Sequence, residues 1–187
     1  MAEPIRIVTP LTKEKALSLK AGDSVLITGT ILAARDAAHK IMIETLERGE
    51  KLPVDFTDQI VYYVGPSPAK PGHPIGSAGP TTSGRMDAYT PQMIEQGLRG
   101  MIGKGYRSDA VVDAMKKHGV VYFAAIGGAA ALVAKTVKKY EVLAYEDLGP
   151  EALAALTVED FPAIVVVDSQ GNNFYEIGQK PYQKLEI

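Results

Sequence analysis

The 187-residue chain sets 20 lysines and arginines against 22 aspartates and glutamates, a formal net charge of -2 with histidine neutral and a pI near 5.9. That balance provides no global field for nucleic acid or an anionic membrane, so any anion site must be local. The absence of cysteine excludes disulfides, a thiol nucleophile and any metal or cluster held by thiolates of this chain, while 46% hydrophobic residues suffice for one core, so residues 1–187 are expected to form a single domain.

The start, MAEPIRIVTP, lacks the apolar run of a signal peptide, and no apolar stretch reaches the length of a membrane span, so a cytoplasmic location is expected. Ser24 to Leu32, SVLITGTIL, is short, apolar and β-branched behind the turn signal Ala21-Gly22-Asp23, and predicts a buried strand. A helix follows in RDAAHKIMIETLERG. Ala38, Ile41, Met42 and Thr45 fall there at helical spacing, Arg35 and Asp36 mark the entry and Gly49 the exit. Arg35 therefore stands at a strand-to-helix junction. QIVYYVG predicts a second strand from Gln59, and Pro66 to Pro80 is a loop by its proline, glycine and serine content.

Thr90-Pro91 reads as an N-cap followed by proline at the first helical position, with a helix over residues 91–98. GMIGKG predicts a short strand whose end carries Lys104. Ser108 is placed to cap DAVVDAMKKHG, with Val111, Ala114 and Met115 inward and Gly119 as the stop. VVYFAAI is the next strand. Gly127-Gly128 opens a helix over AAALVAKTVKKY, and EVLAY returns as a strand. The acidic stretch YEDLGPEALAALTVEDFPA predicts a solvated turn and a short helix without chemistry of its own. AIVVVDSQGNNFYEIG reads as two strands around a Ser-Gln-Gly-Asn turn. The alternation of strands and helices, with this antiparallel addition, places the fold in the α/β class.

GPTTSGRMD, residues 79 to 87, carries the most suggestive chemistry. Gly79 and Gly84 let a ligand approach the backbone, the hydroxyls of Thr81, Thr82 and Ser83 are donors, and Arg85 offers a planar fork for a carboxylate. These features describe an oxyanion cradle; the competing reading is a polar surface turn. Arg35, Lys104 and Arg107 also stand at element ends beside small residues, and neighbouring strand ends in an α/β sheet converge, so these cations can share a crevice with Arg85. A dicarboxylate would suit it. A solvated surface cation is the competing reading for each, weakest at Arg35 and strongest at Arg107. His39, four residues after Arg35, either faces the crevice or packs. His118 complements a helix C-terminus, and His73 lies in a loop.

No P-loop, dinucleotide fingerprint or nucleophile elbow is present. Three scattered histidines with no paired spacing make no metal site in this chain.

The string GPTTSGRMDAY, with LITGTILAARDAAHK before it and MIGKGYRS, KKHGVVYFAAIGGAAAL and VEDFPAIVVVDSQGNNFY after it, closely resembles the C-terminal portion of class I iron-sulfur fumarases and L(+)-tartrate dehydratases. Some members of that family are one long chain and others are split into α and β subunits; this chain resembles the β subunit. The resemblance implies a swivelling β/β/α architecture and a [4Fe-4S] cluster held by three cysteines of the other portion, whose open iron polarises the substrate hydroxyl. It also implies a cysteine-bearing α subunit, an α2β2 assembly and a dicarboxylate substrate. Matched residue by residue, Thr81 is the family's proposed base, Arg35 and Arg85 bind carboxylates and Lys104 is the lysine of its KG motif. Thr82 and His39 stand beside these as candidate substrate-binding residues. Gly103 where relatives often have alanine, and Tyr106 where asparagine is common, depart from the pattern.

The expected function is therefore the β subunit of a hydro-lyase interconverting fumarate and L-malate, inactive alone. A tartrate dehydratase subunit and a non-catalytic assembly subunit are the alternatives.

Overall fold

The computed structural model describes residues 3–125 and 130–183. In chain order it runs β1 (Ile5–Val8), α1 (Lys13–Ser18), β2 (Ser24–Ala33), α2 (Asp36–Glu47), β3 (Ile60–Tyr62), α3 (Thr90–Glu95) and β4 (Gly100–Gly103). It continues with α4 (Asp109–His118), β5 (Val121–Ala124), α5 (Ala130–Thr136), β6 (Val137–Ala144), β7 (Leu153–Val167) and α6 (Phe174–Ile177). Successive pairings from β1 to β5 are parallel. β7 runs antiparallel to β2, β5 and β6. Because it joins β5 back to β2, strands β2, β3, β4, β5 and β7 close into a ring, with β1 and β6 outside it. This is a mixed α/β fold, and among the described residues no helix is long and apolar enough to cross a membrane.

Side-chain alternation along the strands builds two cores. Val25, Ile27 and Ile31 of β2 join Tyr62, Ile102, Phe123 and, from β7, Leu156, Phe161 and Val165 in one cluster, to which α1 adds Ala16 and α5 adds Val133. Leu32, Val61, Met101, Tyr122 and Val166 point the other way and meet Met42 of α2, Met93 of α3 and Met115 of α4. With both faces covered, the strand ends are what the sheet leaves available for a site.

β2, α2, β4, α4 and β5 form where hydrophobic spacing places them, and α4 stops at the left-handed Gly119. The caps differ. Thr90 lies within α3 and bonds its hydroxyl to the Met86 carbonyl at 2.8 Å, and the Ser108 side chain caps nothing, although its N–H donates to Asp87. β1, which the sequence pattern does not announce, pairs along the edge of β2, and α1, likewise unannounced, follows it; Thr12 caps α1 by accepting from the Lys15 N–H.

Three expectations are overturned. The helix placed on AAALVAKTVKKY ends at Thr136, and the residues that follow are strand β6; Gly127 and Gly128 lie outside the described residues. The short helix placed in the acidic stretch is instead the start of the 15-residue β7, behind a 3-10 turn at Glu146–Glu151. Lysine in the first stretch and alanine in the second favour helix locally, and the ladders that β7 forms with β6 and β2 override that preference. The terminal hairpin has no second strand. Asp168 accepts from the N–H groups of Gln170 and Asn172, Asn173 caps Tyr175, and this local bonding winds the chain into α6.

Candidate functional site

Three parallel strands deliver the candidate residues to one end of the sheet. β2 ends at Ala33, two residues before Arg35; Tyr63 directly follows β3; Lys104 directly follows β4. The GPTTSGR segment is stitched across these ends. Thr81 donates its N–H to the Tyr63 carbonyl at 2.8 Å, Thr82 forms a parallel bridge with Lys104, and Ser83 donates its N–H to the Lys104 carbonyl at 2.9 Å.

Ser83 holds this junction rather than facing solvent. Its Oγ accepts the Lys104 N–H at 3.1 Å and meets the Tyr122 hydroxyl at 2.9 Å, and Tyr122 donates onward to the Gly105 carbonyl at 3.0 Å. Burial pushes the Tyr122 phenol well above its ordinary range, so it stays a donor. Gly103 leaves room for this arrangement: a β-carbon on it would lie 2.0 Å from Ser83 Oγ, and the serine would have to move. With Ser83 buried, the exposed Thr82 and half-buried Thr81 are the hydroxyls left to the cradle.

Arg35 occupies the N-cap position of α2 with extended backbone. Its guanidinium lies over Gly65, 21% exposed, with Nη2 3.3 Å from Glu151 and Nε buried without a hydrogen-bond partner. Arg85, 48% exposed, donates from Nη2 to Asp36 Oδ2 at 2.6 Å. Asp36 is the next residue after Arg35, so this bond draws the two arginines to one spot. Lys104 is exposed beside the Thr82 bridge. Arg35, Thr81, Thr82, Arg85 and Lys104 are thus assembled, a cationic patch able to grip carboxylates.

Of the two places open to His39, the structure gives it packing. The ring is fully buried, edge-on to Tyr63 and stacked near Tyr89, and its Nδ1 lies 2.7 Å from the Arg35 carbonyl, to which it donates. Burial pushes its imidazole down to about 4, so it is neutral at pH 7 and leaves Nε2 as a buried lone pair without a partner. His39 therefore supports Arg35 from beneath and does not reach the surface.

The surface reading of Arg107 is overturned. Its side chain is fully buried, paired with Asp87 at 2.7 Å, bonded to Thr90 at 2.8 Å, and set against the rings of Tyr63 and Tyr122. A guanidinium so engaged is structural, whereas Arg35 keeps a buried donor unpaired.

Sequence reasoning missed Gly65, Glu151 and the role of Asp36. The RD pair was the available signal for Asp36; nothing local marks Glu151, which reaches Arg35 from another element. The clefts bounded by Leu46 and Phe56, and by Pro66 and Pro150, contain none of the assembled cations. Without cysteine the chain has no thiolate for an iron-sulfur cluster, and among the described residues no group of three His, Asp or Glu side chains could hold a metal ion. The residues present do not fit such a cofactor.

A model of the fumarase C-terminus matches residues 1–178. The chain is similar to an aerobic class I fumarate hydratase of Salmonella typhimurium, 46% identical over 152 residues, which are 80% of this chain and 26% of that protein. It is also similar to fumarate hydratase 2 of Leishmania major, 44% identical over 82% of this chain and 28% of the relative. A putative L(+)-tartrate dehydratase subunit beta of Methanocaldococcus jannaschii is 42% identical over 182 residues, 94% of this chain and 93% of that subunit. The match thus spans about a quarter of the fumarate hydratases and nearly the whole of the archaeal subunit. The family model covers nearly the whole chain and the archaeal subunit is matched over nearly its full length, so the chain belongs to the fumarase C-terminus family.

Proposed function

We propose that this chain is the β subunit of a two-subunit hydro-lyase that reversibly hydrates fumarate to L-malate and acts only with an α subunit. The observation that carries this reading is the assembly of Arg35, Thr81, Arg85 and Lys104 at adjoining strand ends, in a family whose named members include fumarate hydratases. Arg35 and Arg85 each take one carboxylate of the substrate, Lys104 adds a mobile positive charge, and Thr82 donates a hydroxyl. His39 fixes Arg35 through its carbonyl.

Thr81 is assigned the carbon-bound proton. Its N–H donates to the Tyr63 carbonyl, which holds its backbone at the end of β3 and supports this assignment. An alcohol is a poor base near neutral pH, so its alkoxide needs the neighbouring cations and a carboxylate from the partner to relay its proton. The reading assigns the [4Fe-4S] cluster to cysteines of the α subunit, the assembly to α2β2 and the location to the cytoplasm. It takes residues 1–187 as one swivelling β/β/α domain, a reading supported by two cores on opposite faces of one continuous sheet.

The test is anaerobic recovery of the chain with its partner from source cells, followed by assay on L-malate and L(+)-tartrate. Fumarate formed from malate by a complex containing a cysteine-bearing chain is the expected result. No such partner and no turnover of either acid would overturn the proposal. The near full-length match to a putative tartrate dehydratase subunit supports a second reading, tartrate dehydration to oxaloacetate, which turnover of tartrate alone would select.

A further inference from the structure

A carboxylate of the chain itself stands between the two arginines. Asp36 opens α2, where its charge complements the helix N-terminus. Its Oδ2 accepts from Arg85 Nη2 at 2.6 Å. Its Oδ1 is buried without a partner and faces Arg35 Nε at 3.9 Å, which is likewise buried without a partner. The two orphaned atoms are complementary, one acceptor and one donor, and at 3.9 Å stand too far apart to bond each other.

The contact to Arg85 involves one nitrogen of the guanidinium, so its remaining donors stay available to a ligand. Arg85 extends from the 3-10 turn Ser83–Met86 and is half exposed. Without a fixed acceptor its long side chain would sample many rotamers. Asp36 is short and anchored in a helix, and supplies that acceptor. Arg35 is already confined over Gly65.

We propose that Asp36 is a positioning residue that fixes the separation of Arg35 and Arg85, so that the pair receives a dicarboxylate as one preorganised unit. The inference rests on the reading that these arginines bind the substrate's carboxylates.

The experiment uses the complex assembled with its partner chain and measures kcat and KM for L-malate and L(+)-tartrate, with calorimetric binding of succinate as an unreactive dicarboxylate. Asp36→Ala should raise KM and the succinate Kd by about tenfold, the scale of a lost charge-assisted hydrogen bond, while kcat changes by less than about threefold. Asp36→Asn, whose amide oxygen still accepts from Arg85, should fall between. In an Arg85→Ala background, Asp36→Ala should add little, because its effect passes through Arg85. Unchanged KM and Kd in Asp36→Ala, or a loss fully additive with Arg85→Ala, overturns the inference alone. An unmodified complex that neither binds succinate nor turns over either acid overturns the hydro-lyase reading, and this inference with it. Should Asp36→Ala fail to fold, Asp36→Asn carries the test, a raised KM in a folded complex supporting the inference and an unchanged KM overturning it.

Discussion

Gly65 lies against the guanidinium of Arg35 so closely that a β-carbon at position 65 would sit 2.6 Å from Nη1 and 2.9 Å from Cδ. The glycine is a seat for the arginine. Gly65→Ala should push Arg35 out of place at an overpacking cost of about 1–3 kcal/mol, spread over side chain and backbone. The expected outcome is a raised Kd for succinate in the assembled complex with strand and helix content retained. Unchanged calorimetric binding would show that Arg35 binds from another position.

Thr81 should separate catalysis from assembly. Thr81→Ala is expected to lower kcat by about 10²–10⁴-fold, the range for losing a positioned proton-transfer group, without weakening subunit association. Thr81→Ser should keep part of the activity. Steady-state kinetics beside analytical ultracentrifugation checks both, and near-normal turnover in the alanine variant would leave the chain with an assembly role.

His39 makes stability depend on pH. Burial holds its folded pKa near 4, below the ordinary value of 6.5, so the unfolded state binds the proton more readily. Its contribution is fully present above pH 6.5 and is lost as pH falls from there toward 4, with a limit of roughly 3 kcal/mol. Melting temperatures of the unmodified chain and His39→Asn across this window should differ in slope, since asparagine can still donate to the Arg35 carbonyl but does not titrate. Parallel curves would place the neutral ring elsewhere.

Two arginines separated by their surroundings should behave oppositely. Arg107→Ala leaves Asp87 without its buried partner and should cost about 3–5 kcal/mol in urea denaturation. Arg35→Ala, which removes a side chain 21% exposed whose 3.3 Å ion pair is with the partly exposed Glu151, should alter stability far less while raising the substrate requirement strongly. Equal stability losses would remove the distinction.

The contrast between these arginines also marks how far sequence reading reaches. Arg35 was legible because a largely apolar and β-branched stretch leads to it and a helical period leaves it, a purely local signal. Arg107 was not, because its burial comes from Tyr63, Tyr122 and Asp87, which belong to three other segments. The same division runs through the fold. β2 and α2 follow from periodicity, but β7 contains residues of good helix propensity and becomes strand through partners far away in the chain. The cations of the site could be gathered by residue type and position; Asp36 and Glu151, which restrain them, required the third dimension.

β7 also sets a schedule for synthesis. Its Ile164 pairs with Ser24 and its Ala155 with Leu32, so the edge of β2 that it covers has no lasting partner until a segment far along the chain has been made. Contacts this distant close late and slowly. Until then the nascent chain carries an uncovered apolar strand edge, the kind of surface that pairs with other chains unless it is shielded. The strand that completes the ring in the finished molecule is thus also the one whose late arrival leaves β2 open during synthesis.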